Sequence, residues 1–311
     1  MPEARGVAGS PARDSLIRRI PLSKGGGALI AVHDFRGTGA PIVLAHATGL
    51  HGLVWRPLAE ALTGFHVFGL DHRGHGDSPL PEGPEETALD WRRFAEDILA
   101  VIDGLGLSRP IGIGHSAGGA AMLLAEEARP GTFAALALYE PVVIAADPPL
   151  GRDRDNWLAA GARRRRRTFT SRDDAYEAYA AKAPFNRWTR DAVSAYVGHG
   201  FADQTDGTVR LKCRPEDEAV IYEMATAHPA FTALAKVSCP VLLLAGDESE
   251  FATLDDRMGR VAAALPHAES QVLPGLDHFG PMEDPHAVAR AVLQFLQRQH
   301  IGREDPEEPG S

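Results

Sequence analysis

The chain has 311 residues, 44% of them hydrophobic and 24% charged, with a formal net charge of −10. That is enough for a sizeable buried core, as one large domain or one domain with an insertion, and the acidic balance disfavours non-specific nucleic-acid binding. No apolar run approaches the ~20 residues of a membrane span, and Cys213 and Cys239 provide neither a disulfide framework nor zinc-ligand spacing.

Residues 1–15 and 302–311 read as disordered ends, the latter acidic and proline-bearing. The first residues lack an apolar stretch of signal-peptide length, so a cytoplasmic protein is expected. In chain order, apolar runs predict strands at 42–45, 65–70, 111–114, 136–139 and 241–245. Helices are predicted at 54–62, 91–105, 117–127 and 254–265, and a strand-like run at 269–273 precedes an amphipathic helix at 284–297. Near-continuous apolar strands alternating with helices imply an α/β fold with a mostly parallel sheet buried on both faces.

Residues 147–230 break this rhythm. They carry the run Arg163-Arg164-Arg165-Arg166-Arg167, many acids and several aromatics, among them Trp157, Tyr179, Trp188 and Tyr196. The segment reads as a helical insertion, with residues 16–146 and 231–301 forming the core. On a helix, successive residues turn by about 100°, so five arginines would spread around all faces as a solvated, salt-bridged surface. The sharper alternative sends one or two of them down towards an anionic substrate.

Three segments carry chemistry. Gly114-His115-Ser116-Ala117-Gly118 lies between a predicted strand and a predicted helix, the context in which G-x-S-x-G forms a strained turn exposing a serine hydroxyl. Leu276-Asp277-His278-Phe279-Gly280 places a histidine in a turn-rich loop, and the run 240–246 ends in Asp247-Glu248-Ser249-Glu250. A serine hydroxyl is a weak nucleophile, so His278 would take its proton and an ionised acid would orient the imidazole. The backbone N–H of Ala117, just after the nucleophile, would stabilise a developing oxyanion. Asp71, His72, His75 and Asp77 cluster at short spacing, but Arg73-Gly74-His75-Gly76 reads as a tight turn, and no metal is expected. No cofactor is expected either.

With serine, acid and histidine in that order, and with His46-Ala47-Thr48-Gly49 and Asp71-His72-Arg73-Gly74-His75-Gly76-Asp77-Ser78 each following a strand, residues 28–298 resemble the α/β-hydrolase superfamily. The resemblance is to serine-nucleophile members with a helical cap inserted after the sixth strand. It implies Thr48 as the second oxyanion donor, although Ala47 stands where the family motif has glycine. It also implies an acid after the strand ending at Gly246. The family's usual aspartate position is Ser249, which makes Glu250 the preferred acid, with Glu140 and Asp247 as alternatives. The implied activity is hydrolysis of a small or medium carboxylic ester, thioester or lactone through an acyl-enzyme. Acyl transfer, C–C bond hydrolysis and non-catalytic ligand binding on the same fold are the competing readings. A small-molecule acyl substrate is the expected partner.

Overall fold

The computed structural model describes residues 16–22, 28–81, 85–146, 148–253 and 257–302. The expected disordered ends, Gly302 excepted, lie outside it. Six strands come first: β1 Leu16–Pro21, β2 Leu29–Asp34, β3 Pro41–Ala45, β4 His66–Leu70, β5 Ile111–His115 and β6 Ala135–Tyr139. Three short ones follow, β7 Thr168–Phe169, β8 Phe201–Asp203 and β9 Val209–Leu211, and then β10 Val241–Gly246 and β11 Ala268–Leu273. The main sheet has eight strands in the order β1-β2-β4-β3-β5-β6-β10-β11. It is parallel from β4 to β11, with β1 and β2 antiparallel at one edge.

The five predicted strands are all present, and their apolar runs are buried along their length, as expected of central strands covered on both faces. The sequence offered no comparable signal for β1, whose residues Leu16 to Arg19 are exposed and include two arginines. An edge strand with a solvated face needs no apolar run.

One face of the sheet packs on Trp91–Gly104 and Ala117–Ala128, the other on Arg56–Ala61 and Pro285–Arg298. Helix Trp91–Gly104 is opened by Asp90, whose side chain accepts from the Arg92 N–H, and it buries Phe94, Ile98, Val101 and Ile102 at helical spacing.

Between β6 and β10 the chain runs through helices Trp157–Arg163, Arg172–Ala180, Arg190–Gly200 and Pro215–Glu223 and the antiparallel ribbon β7-β9-β8. The ribbon departs from the purely helical expectation: strands of two or three residues are too short to show a period. The arginine run also departs from it. The helix ends at Arg163, Arg164 is its C-terminal cap, and the chain then extends into β7. This segment is seated on the core. Trp188, Tyr196 and Phe201 join the core cluster, the Thr189 N–H donates to the Met282 carbonyl at 2.9 Å, and Arg187 pairs with Glu248 and Glu283.

Candidate active site

The tips of parallel strands β5 and β6 carry the first two groups. His115 pairs with Tyr139 in register, and the Ser116 N–H continues the ladder to the Tyr139 carbonyl at 3.0 Å. At the next step both chains turn sharply. Ser116 has φ 55° and Glu140 has φ 43°, a left-handed region that residues other than glycine seldom occupy. Strain of this kind persists only where the surroundings enforce it, and it concentrates at functional sites.

The surroundings here are close backbone contacts. A Cβ on Gly118 would lie 2.3 Å from the Ala45 carbonyl oxygen, and one on Gly114 would lie 2.6 Å from the Gly119 Cα. Only glycine lets helix Ala117–Ala128 start this close to β3 and β5. The same contact sets the first turn of that helix, with N–H groups that have no acceptor within the helix, beside the His46–Gly49 loop.

His278 lies on the loop after β11. Its backbone is held by its neighbours: the Tyr139 hydroxyl donates to the Asp277 carbonyl at 2.7 Å, and His115 Nε2 donates to the His278 carbonyl at 2.8 Å. Burial pushes the Tyr139 hydroxyl well above its ordinary pKa, so it stays a donor. His278 Nδ1 lies 2.7 Å from Glu140 Oε2. That carboxylate also accepts the Ser249 hydroxyl at 2.7 Å and the Gly246 N–H at 3.0 Å. Three donors converge on a group that, when ionised, can only accept.

An imidazole Nδ1 has one direction for a hydrogen bond, and Glu140 fills it. The carboxylate brought to the ring is thus Glu140 and not Glu250, the acid preferred from sequence: Glu250 opens the short helix Glu250–Thr253, while the Asp247 carboxylate accepts the Gly275 N–H at 2.6 Å. Serine at position 249, where the family motif has aspartate, bonds to Glu140 through its hydroxyl. Leu138-Tyr139-Glu140-Pro141 did carry a signal for this outcome, an acid at the carboxyl end of a buried strand just before a proline.

The loop holding Thr48 rests on histidines. His46 Nδ1 donates to the Ala47 carbonyl at 2.8 Å, and His46 Nε2 accepts the His72 N–H at 3.0 Å. His75 Nε2 accepts the Gly49 N–H at 3.1 Å, and its Nδ1 donates to the Arg73 carbonyl at 3.1 Å. Acceptance at Nε2 requires neutral rings, and burial, the largest influence, pushes the pKa values of His46 and His75 down, and that of the adjacent His72 ring to about 3. Asp71 accepts from Gly52 and Asp77 and bonds His33 at 3.0 Å; burial raises its pKa, but His33 and the other neighbours hold it net low. These bonds make the Asp71–Ser78 segment a scaffold for the loop. Among the described residues no cluster of three or more metal-ligating side chains is formed.

Ser116 and His278 are 8% and 9% exposed, reachable at the surface but largely shielded from water. Phe251 and Phe279 lie against the imidazole, with ring centroids 4.6 and 5.2 Å away. Both cysteines are free and buried, and burial pushes the Cys239 thiol up to about 12. Among the described residues no helix is long and apolar enough to cross a membrane.

A mostly parallel sheet with Ser116, Glu140 and His278 just beyond the carboxyl ends of β5, β6 and β11 has a hydrolase-type α/β architecture. Residues 42–291 match the model of the alpha/beta hydrolase family, and the chain belongs to that family. It is 37% identical to the monoglyceride lipase of Homo sapiens over 117 residues, a match spanning 35% of this chain and 38% of the lipase. It is 28% identical to the non-heme chloroperoxidase CPO-A1 of Kitasatospora aureofaciens over 277 residues, 84% of this chain and 94% of that protein. Among solved structures, E-2-(acetamidomethylene)succinate hydrolase superposes with a TM-score of 0.76 at 22% identity, covering 91% of this chain and 99% of its own.

Proposed function

We propose that the protein is a serine hydrolase that cleaves a small or medium carboxylic ester, or a thioester or lactone, through an acyl-enzyme on Ser116. The observation that carries this reading is the 2.7 Å contact of His278 Nδ1 with the Glu140 carboxylate, on the strand next to the one that presents Ser116 at positive φ.

In the first half-reaction Ser116 Oγ attacks the acyl carbon and His278 Nε2 takes its proton. Glu140, bonded to Nδ1, keeps the other ring nitrogen free to accept and stabilises the imidazolium. The oxyanion is met by the backbone N–H groups of Ala117 and Thr48. His278 returns its proton to the leaving alcohol, and water activated by the same ring then releases the acid. Residues 147–230 act as a cap that forms the far wall of the pocket. A serine at the elbow argues against the aspartate-nucleophile chemistry of epoxide and haloalkane substrates. The partial likeness to a monoglyceride lipase is compatible with an ester substrate.

The test is labelling with a fluorophosphonate probe. Wild type should be modified at Ser116 alone, and Ser116→Ala should not react and should lose about 10⁶ in kcat on an activated aryl ester. A folded wild-type protein that neither labels nor turns over, yet shows thermal shifts with ligands, would move the assignment to non-catalytic binding.

A further inference from the structure

We propose that Arg165 and Glu218 form a positioning pair that seats the oxyanion loop, so that the insertion sets part of the reaction geometry as well as walling the pocket. The inference rests on the proposed role of Thr48 as an oxyanion donor.

Arg165 differs from its neighbours in the arginine run. Its side chain is 18% exposed, against 44% for Arg163, which pairs with the buried Glu223, and 52% for Arg166, which pairs with the partly exposed Asp174. Arg165 Nη1 donates to Glu218, and Nη2 donates to the hydroxyls of Tyr179, at 3.0 Å, and of Tyr196. Three insertion side chains therefore meet at one guanidinium, and they meet against the core. Gly49, next to Thr48, has φ 78°, and a Cβ there would lie 2.6 Å from Glu218 Oε1 and 3.2 Å from Arg165 Nη1.

Tyr196 reaches the same loop a second way. Its carbonyl accepts from His51 Nε2 at 3.1 Å, and its ring stacks on the His51 ring with centroids 5.9 Å apart. Residues 46–51 are thus held by His46 and His75 from within the core and by Arg165, Glu218 and Tyr196 from the insertion. Because Glu218 already answers the charge of Arg165, the guanidinium is spent on holding Glu218 and the tyrosines in place. An ammonium cannot make the same forked set of bonds.

The experiment measures the rate of fluorophosphonate reaction at Ser116, with kcat and KM for a neutral and a carboxylate-bearing aryl ester. The variants are Arg165→Lys, Glu218→Gln and the double Arg165→Met/Glu218→Gln, which leaves no buried charge uncompensated. Arg166→Gln is the surface control. Loss of an oxyanion donor outright costs 10²–10³ in kcat, so a loosened one should cost about tenfold. We expect that loss in both kcat and labelling rate for Glu218→Gln and the double variant, with KM within about twofold for both esters. Arg165→Lys should fall between these and wild type, and Arg166→Gln should match wild type. Wild-type rates in Arg165→Lys and in either folded Glu218 variant would overturn the proposal. So would a rise in KM confined to the carboxylate-bearing ester at unchanged kcat, which would make Arg165 a substrate-binding residue. Failure of wild type to label at all would defeat the reading of the site instead, a result separable from unchanged rates in labelled variants.

Discussion

Replacing Glu140 by glutamine removes the charge bonded to His278 Nδ1 and leaves the surrounding shape nearly unaltered. The amide oxygen can keep the Gly246 N–H, and the amide nitrogen then faces the Ser249 hydroxyl and His278 Nδ1. An N–H pointed at Nδ1 selects the tautomer with its proton on Nε2, the nitrogen that must accept from Ser116. The imidazolium formed during attack also loses its counter-charge. With charge centres about 4 Å apart and an effective dielectric near 20, that attraction is about 4 kcal/mol, or roughly 10³ in rate. The tautomer penalty adds to it, so a fall in kcat of about 10³–10⁴ is expected, in line with other triad acids. The assay is steady-state hydrolysis of an activated aryl ester at pH 8, with thermal melting to show that the fold persists. Glu250→Gln, measured alongside, should stay within about threefold of wild type. A folded Glu140→Gln within tenfold of wild type, or a larger loss in Glu250→Gln, would refute the assignment of the acid.

Further outcomes follow from the same contacts. A Cβ on Gly246 would lie 2.0 Å from the Leu276 carbonyl oxygen, backbone that leads into the His278 loop. Gly246→Ala should therefore lower urea stability by about 1–3 kcal/mol and reduce kcat together, and an unchanged denaturation midpoint would count against that contact. His72 is buried and neutral, with its pKa pushed from 6.5 to about 3 by burial. Between those values the unfolded chain binds the proton and the folded chain does not. The contribution of His72 is thus fully present above pH 6.5 and is lost as the pH falls towards 3. His72→Leu should flatten the fall in urea stability between pH 6 and 4 by up to about 1.4 kcal/mol per pH unit. An identical slope in the variant would show that His72 titrates normally in the folded protein.

Much of this protein was legible from one-dimensional pattern. The central strands announce themselves because a strand buried on both faces must be apolar throughout, as Val241 to Ala245 are. The elbow was readable because Gly114 and Gly118 are required locally, by chain segments that touch within a few residues of Ser116 or at the neighbouring strand. His278 stood out by its turn-rich loop and its place after serine and acid.

The acid did not depend on local pattern. Glu140, Asp247 and Glu250 all follow strands that end on the same edge of the sheet, and only the register of β6 against β10, together with the path of the His278 loop, decides which carboxylate meets Nδ1. The fate of the arginine run was equally non-local. Whether Arg165 faces water or the core depends on where helix Trp157–Arg163 stops and on Glu218 and the two tyrosines, which lie 14 to 53 residues further along the chain. Composition and period encode what each element buries. Which side chains converge is decided by packing, because a contact between distant residues leaves no trace in the spacing of either one.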